Sequence, residues 1–257
     1  VLHESALPPR VAERLNVFVK RAGRGISRFR MIEEGDRILI GASGGKDSLA
    51  LSLALSVRRA WVPIHYECEA LFIDWREYPV GQAELDGLAA FYRRLDIPLH
   101  VVSASMFPLR YEKPFNCYIC SRNRRRILFR EAQARGMRKI ALGHTRDDII
   151  VTTLMNLFYR GEFATMLPVQ SFFAGRIQIL RPLCEVEERD IQRLLRYYPL
   201  PVLERECPRK EHNLRPLFKE VIRMVERTNR HVRDNLYRAP WHINRDYLPG
   251  PIEPAGD

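Results

Sequence analysis

Ser43-Gly44-Gly45-Lys46-Asp47-Ser48 is the segment whose residue types and spacing most directly specify chemistry. Paired glycines allow a backbone to approach a ligand closely, Ser43 and Ser48 bring hydroxyls, and Lys46 brings a cation. The apolar run Arg37-Ile38-Leu39-Ile40-Gly41 precedes the segment. A Leu- and Ala-rich stretch without Gly or Pro follows, from Asp47 to about Arg59. This pattern predicts a turn from a buried strand into a helix N-terminus, where unpaired N–H groups and the positive dipole end suit phosphate. It is not a Walker A loop. Three residues, not four, separate Gly41 from Gly45, and Asp47 stands where that loop needs Ser or Thr.

Gly143-His144-Thr145-Arg146-Asp147-Asp148 follows another apolar run, Lys139 to Gly143. Adjacent carboxylates at a strand's C-terminal end suit a hard cation such as Mg²⁺. An isolated Asp-Asp pair is more often the cap and first-turn charge of a helix. Beside a phosphate loop, Asp148 becomes a metal-binding or catalytic candidate, with Asp47 as its counterpart. Asp74, which ends the predicted strand Ala70–Asp74, joins the nucleotide-contacting candidates with Gly143.

Cys117-Tyr118-Ile119-Cys120 is the third signal. C-x-x-C brings two thiolates within reach of one metal, and a site needs more. Of the remaining cysteines, Cys68 and Cys184 sit in apolar contexts that read as burial. Cys207 lies in a polar, basic stretch that can fold back to a crevice. Three thiolates leave one position open, unlike a closed structural zinc site, and a [4Fe–4S] cluster held this way has a free iron. A dithiol that forms a disulfide or carries a persulfide is the alternative.

These motifs sit in a chain of 257 residues with 42 Lys and Arg against 31 Asp and Glu, a formal charge of +11. That surplus favours polyanionic partners. Seven arginines fall between Arg122 and Arg138, and Arg215, Lys219, Arg223 and Arg227 recur every four residues. Two basic clusters beside a nucleotide site point to RNA. A hydrophobic content of 46% excludes disorder as the main state. No apolar run approaches a membrane span, and the start resembles no signal peptide, so the expectation is a soluble cytoplasmic protein.

The elements that must position the motifs alternate. Strands are predicted near 37–41, 70–74, 98–102, 139–143 and 177–180, with helices at about 8–30, 47–59, 82–95, 119–135, 146–159 and 185–197. Alternation of this kind predicts an α/β fold, a Rossmann-like parallel sheet with helices on both faces. The expected organisation is an N-terminal helical lead-in (1–30), a phosphate-loop domain with the cysteines (31–184), which the resemblance described next makes an ATP-binding PP-loop domain, a helical RNA-contacting region (185–247) and a tail (248–257).

The S-G-G-K-D-S hexapeptide resembles the PP-loop signature of ATP pyrophosphatases. In order, S-G-G-K-D-S, C-x-x-C-S-R-x-R-R and A-L-G-H-x-R-D-D are similar to the tRNA 2-thiocytidine synthetase family. Leu180-Arg181-Pro182-Leu183 and Asn156-Leu157-Phe158-Tyr159 support this. The likeness runs from about residue 12 to about 235. It implies ATP- and Mg²⁺-dependent adenylation of the C2 oxygen of cytidine 32 in a tRNA anticodon loop, followed by sulfur replacement. It also implies a [4Fe–4S] cluster on Cys117, Cys120 and Cys207, sulfur from a cysteine desulfurase or another donor, and a homodimer as a compatible state. On this reading Asp47 and Asp148 hold Mg²⁺, and Arg124 neutralises the adenylate or the base. Cys207 lacks the second C-x-x-C partner typical of the family. The competing classes are PP-loop enzymes that act on uridine or use an amine nucleophile, and a zinc-stabilised RNA-binding module without catalysis.

Overall fold

The computed structural model describes residues 7–107, 117–204 and 214–248. Among these, six strands form one sheet: β1 (Asp36–Ala42), β2 (Tyr66–Trp75), β3 (Leu99–Ala104), β4 (Lys139–Ala141), β5 (Val169–Phe172) and β6 (Ile177–Leu180). The order is β3-β2-β1-β4-β6-β5, and every pairing is parallel except that of β5 with β6. The helices are α1 (Pro9–Arg28), α2 (Lys46–Arg59), α3 (Gln82–Arg94), α4 (Cys117–Ala134), α5 (Arg146–Arg160), α6 (Glu188–Tyr197), α7 (Arg215–Glu226) and α8 (Val232–Arg238). None of them is long and apolar enough to cross a membrane.

The central strand explains the layering. Ile38, Leu39 and Ile40 of β1 are all fully buried, which requires cover on both faces. Leu39 packs with Ile127, Leu128 and Ala132 of α4. Side chains alternate along a strand, so Ile38 and Ile40 face the other layer. There α2 lies on β1 and β2, with α1 and α6 packed beside it. Gly25 lets α1 approach closely, since a Cβ there would lie 2.9 Å from the sulfur of Cys184. Gly136 closes α4 in the left-handed region (φ +64°), with Met137 N–H donating back to the Ala132 carbonyl at 2.8 Å.

Chain order reverses between β1 and β4. From β1 the sheet grows through β2 to β3, then the chain returns to place β4 on the other side of β1. Ligand crevices of open α/β sheets lie beyond the strand C-termini at such a switch point. The register is Ile38↔Lys139, Leu39↔Ile140 and Ile40↔Ala141. At the opposite, N-terminal ends of the same strands, nearly buried Lys139 pairs with Asp36 at 2.6 Å and Glu33 at 3.2 Å.

The strand Val169–Phe172 is not among the five expected. It is a half-exposed edge strand, Val-Gln-Ser-Phe, recruited by a hairpin onto β6. Tertiary pairing, not its own pattern, makes it a strand. The helix Val232–Arg238 falls inside the region expected to be helical (185–247) without having been assigned individually, and the tail beyond residue 248 lies outside the described residues.

The described residues fall into two compact units. The first lies within Val1–Asp148 and Leu167–Asn213, the second within Ile149–Met166 and Leu214–Asp257. The first holds the sheet. In the second, the rings of Phe158 and Tyr159 pack edge-on against Phe218 of α7. On α7, Phe218 and Ile222 are the buried residues.

Leu39→Ala leaves a cavity in the central strand and is expected to cost about 2–5 kcal/mol. Tyr247→Ala, at a side chain 85% exposed, is expected to stay within about 0.5 kcal/mol of the parent. Denaturant unfolding checks both.

Candidate active site

β1 ends at Ala42 and α2 starts at Lys46, so the intervening turn is short. Gly44 occupies the left-handed region at φ +76°, where a side chain would be strained. Its carbonyl accepts the Leu203 N–H at 2.9 Å, and a Cβ on it would meet Leu203 Cδ1 at 2.4 Å. The Ser48 hydroxyl accepts the Ser43 N–H (3.2 Å), lies 3.0 Å from the Ser43 hydroxyl and donates to the Gly45 carbonyl (2.9 Å). The Gly45 N–H donates to Ser43 Oγ at 3.3 Å. The two serines, read from sequence as ligand donors, thus also hold the loop's own shape. No side chain caps the N-terminus of α2, which suits an anion there.

The loop after β4 meets this turn backbone to backbone. A Cβ on Gly143 would lie 2.8 Å from the carbonyl carbon and oxygen of Asp47 and 2.9 Å from the Ser48 nitrogen. Only glycine permits that approach. Thr145 then begins α5 through a reciprocal cap. Its N–H and hydroxyl contact Asp148 Oδ2 at 2.9 and 3.0 Å, and the Asp148 N–H contacts its hydroxyl at 3.4 Å. The adjacent acids therefore divide. Asp147 turns to α6 and accepts the Glu188 N–H at 2.8 Å, whereas the charge of Asp148 reaches Asp47.

Lys46 lies between two carboxylates, Asp47 at 3.2 Å and Glu188 at 2.9 Å. Burial works against its charge, but Asp47 and Glu188 together outweigh burial and hold its pKa above the ordinary value. Asp47 is shifted upward, first by burial. Lys46 opposes the shift, and the negative charges of Asp148 and Glu188 add to it. Two carboxylates thus face the ammonium, the charge of Asp148 bears on Asp47 from the other loop, and Asp47 Oδ1 is buried with no hydrogen-bond partner. That orphaned oxygen in a negative setting fits a cation. Among the described residues no three potential ligand side chains converge as a metal site. Mg²⁺ commonly takes one or two carboxylates together with substrate phosphates and water, so the donor set matches it.

Cys117 opens α4 and Cys120 lies one turn on. Thiolates in a first helical turn are favoured by the dipole. Cys120 is half-buried and packs against the core cluster that contains Trp75 and Leu71. The guanidinium of Arg124 sits over the Trp75 ring, 5.8 Å from its centroid. Asp74 accepts the Val80 N–H at 2.9 Å and so steadies the chain leaving β2. The side chain of Cys117 and all of Cys207 lie outside the described residues. Cys184 is fully buried, and burial pushes the Cys68 thiol up to about 12. Both behave as small apolar residues.

Sequence reasoning did not find Glu188 or Leu203. Each reaches the loop from over a hundred residues away, and no local pattern marks either one.

A family model described as a PP-loop domain matches residues 10–226. The tRNA-cytidine(32) 2-sulfurtransferase of Geobacter metallireducens is 36% identical over 232 residues, covering 88% of this chain and 89% of that protein. Its counterpart in Methylobacillus flagellatus is 31% identical over 238 residues, covering 91% and 78%. A U34-tRNA thiolase from Methanococcus maripaludis, solved with its [4Fe–4S] cluster, superposes with a TM-score of 0.70 at 19% identity, over 90% of this chain and 81% of that one. That likeness establishes the shared fold. Loop, switch point and sheet together define a PP-loop domain of the ATP pyrophosphatase type. Within that class, the chain belongs to the tRNA-cytidine(32) 2-sulfurtransferase family.

Gly143→Ala must push the Asp47 backbone away, and is expected to weaken ATP turnover by about 100-fold or more, since small misplacements carry that cost. Gly87→Ala, on α3 with open space around the added Cβ, is expected to stabilise the fold by up to about 1 kcal/mol and leave turnover unchanged. ATP-dependent pyrophosphate release and thermal melting separate the two.

Proposed function

We infer that this chain is an ATP-dependent tRNA thiolase that replaces the C2 oxygen of cytidine 32 with sulfur. One observation carries the reading. The backbone lock between Gly143 and Asp47 presents an unpartnered, buried carboxylate oxygen beside a phosphate-type loop.

The loop from Ser43 to Ser48 and the uncapped start of α2 receive the pyrophosphate part of ATP. Asp47, with Asp148 nearby, holds Mg²⁺. Lys46 exchanges one of its carboxylate partners for phosphate oxygen and offsets charge on the departing pyrophosphate. The C2 oxygen attacks the α-phosphorus and the bond to the pyrophosphate oxygen breaks. A sulfur nucleophile then forms a bond to C2, the C2–O bond breaks, and AMP leaves with that oxygen. Arg124, placed beside Trp75, balances the anionic adenylate. A target base in an anticodon loop is unstacked more readily than one in a duplex.

Cys117, Cys120 and Cys207 would hold a [4Fe–4S] cluster, which supplies the sulfur nucleophile when bound. Two facts about this chain support that set. Cys120 is accessible at the head of α4 while Cys68 and Cys184 are buried. Leu203 is hydrogen-bonded to Gly44, and Cys207 stands only four positions further along the chain, a reach of at most about 14 Å. The sulfur enters from a cysteine desulfurase or another donor.

The test is anaerobic purification with iron, sulfide and zinc analysis, then quantification of 2-thiocytidine in tRNA. Near-equal iron and sulfide are expected. Asp47→Ala and Cys120→Ala are each expected to lower thiolation by at least about 100-fold with melting curves retained. Cys184→Ser is expected to keep both metal and activity. Substantial thiolation by either of the first two variants would overturn the assignment.

A further inference from the structure

A groove of about 990 Å³ runs between α4 and the β5–β6 hairpin, within the sheet-bearing unit. Its charge is one-sided. Arg122, Arg125, Arg126, Arg130, Arg138 and Arg176 line it, and no Asp or Glu does. Arg122, Arg126 and Arg130 recur every fourth residue, so they form one stripe about 12 Å long on α4. All six are exposed. Arg130 pairs with Glu131 at 2.8 Å, but among the described residues none of the other five makes an ion pair. Ordinary surfaces intersperse both signs, and uncompensated arginines at this density repel one another.

The floor of the groove is aromatic. Phe129 of α4 packs against Phe172 at 5.1 Å and edge-on against Phe173 at 5.4 Å. The Arg125 guanidinium lies 5.7 Å from the Phe172 ring centroid. Phe173 is 54% exposed although its ring is held by two others. It is also kept in the left-handed region at φ +53°, followed by Ala174 at +55°. A non-glycine pair in that region carries strain. The hairpin bears it while presenting a large apolar ring to solvent.

We propose that this groove is a docking site for unpaired nucleotides of the tRNA substrate. Arginines bind phosphate oxygens through their planar forks, and exposed aromatic rings stack on bases. Interleaving of the two distinguishes single-stranded RNA from an A-form duplex, whose base faces are covered. The groove includes Ile119, so it begins beside Cys120 and follows the same helix away from it. A strand lying there is held in line with Cys120, at a distance from the nucleotide loop. The proposal rests on the tRNA thiolase reading and adds where the RNA is gripped.

Binding of an in vitro transcribed tRNA to the anaerobically purified full chain tests it, measured over a salt series with sodium polyglutamate as an alternative polyanion. Arg138→Glu/Arg176→Glu is expected to weaken tRNA binding about tenfold or more. The slope of log affinity against log salt should fall by about 0.7 for each lost phosphate contact. Phe173→Ala is expected to lose about fivefold or more with an unchanged salt slope, and to bind polyglutamate as the parent does. ATP binding is expected to be retained in both, which shows that they fold. Tight tRNA binding by the parent with equal binding by the variants overturns the groove and leaves the thiolase reading standing. Failure of the parent to bind tRNA overturns both. Equal losses for tRNA and polyglutamate, with Phe173→Ala silent, overturn the RNA assignment in favour of an acidic protein.

Discussion

The absence of a side chain at Gly143 is the constraint on which the active centre depends. A methyl group there would press on the Asp47 carbonyl and the Ser48 nitrogen. At that point the loops after β1 and β4 therefore meet main chain to main chain. Main-chain contacts of this kind have no rotamers to relax, so the relative placement of Asp47, Ser48 and Asp148 follows from the strands. The hydroxyl bridges among Ser43, Gly45 and Ser48 carry the same rigidity through the turn. The site is thereby organised before any ligand arrives, the arrangement that electrostatic catalysis requires.

Charge supplies the second theme. Asp47 is held where burial and like charges disfavour its ionised form, and Lys46 is shared between Asp47 and Glu188. Sites that pay in folding stability for an unneutralised cluster gain when a cation enters. The cysteines follow a different logic. Burial makes Cys68 and Cys184 inert, whereas Cys120 combines partial exposure with a helix start and neighbouring arginines.

Much of this was legible in the sequence because its signals are local. The runs around Ile38–Ile40, Leu71–Ile73 and Ile140 declare buried strands by composition. Ser43–Ser48 and Gly143–Asp148 declare loops by their glycines and caps. Their convergence followed from topology, since both lie at strand C-termini. Contacts between distant segments were not legible. Glu188 is one acid in an ordinary helical pattern until folding brings it to Lys46. Leu203 is one apolar residue in a Pro-flanked stretch. The strand at Val169–Phe172 exists because β6 offers it an edge. The pairing of Phe173 with Phe129 likewise joins segments 44 residues apart, so the seven-arginine run could be read while the aromatic floor beneath it could not.

The ion pairs of Lys139 with Asp36 and Glu33 lie at the end of the sheet farthest from the chemistry. Strand pairing can slip only in whole residues, about 3.3 Å at a time, and an odd step also exchanges the two faces. β4 has only three residues in the ladder, so few hydrogen bonds index it against β1. The buried lysine acts as the index pin. It sets the phase of the short strand, and the fit of Gly143 against Asp47 is inherited from a fastening a full strand length away.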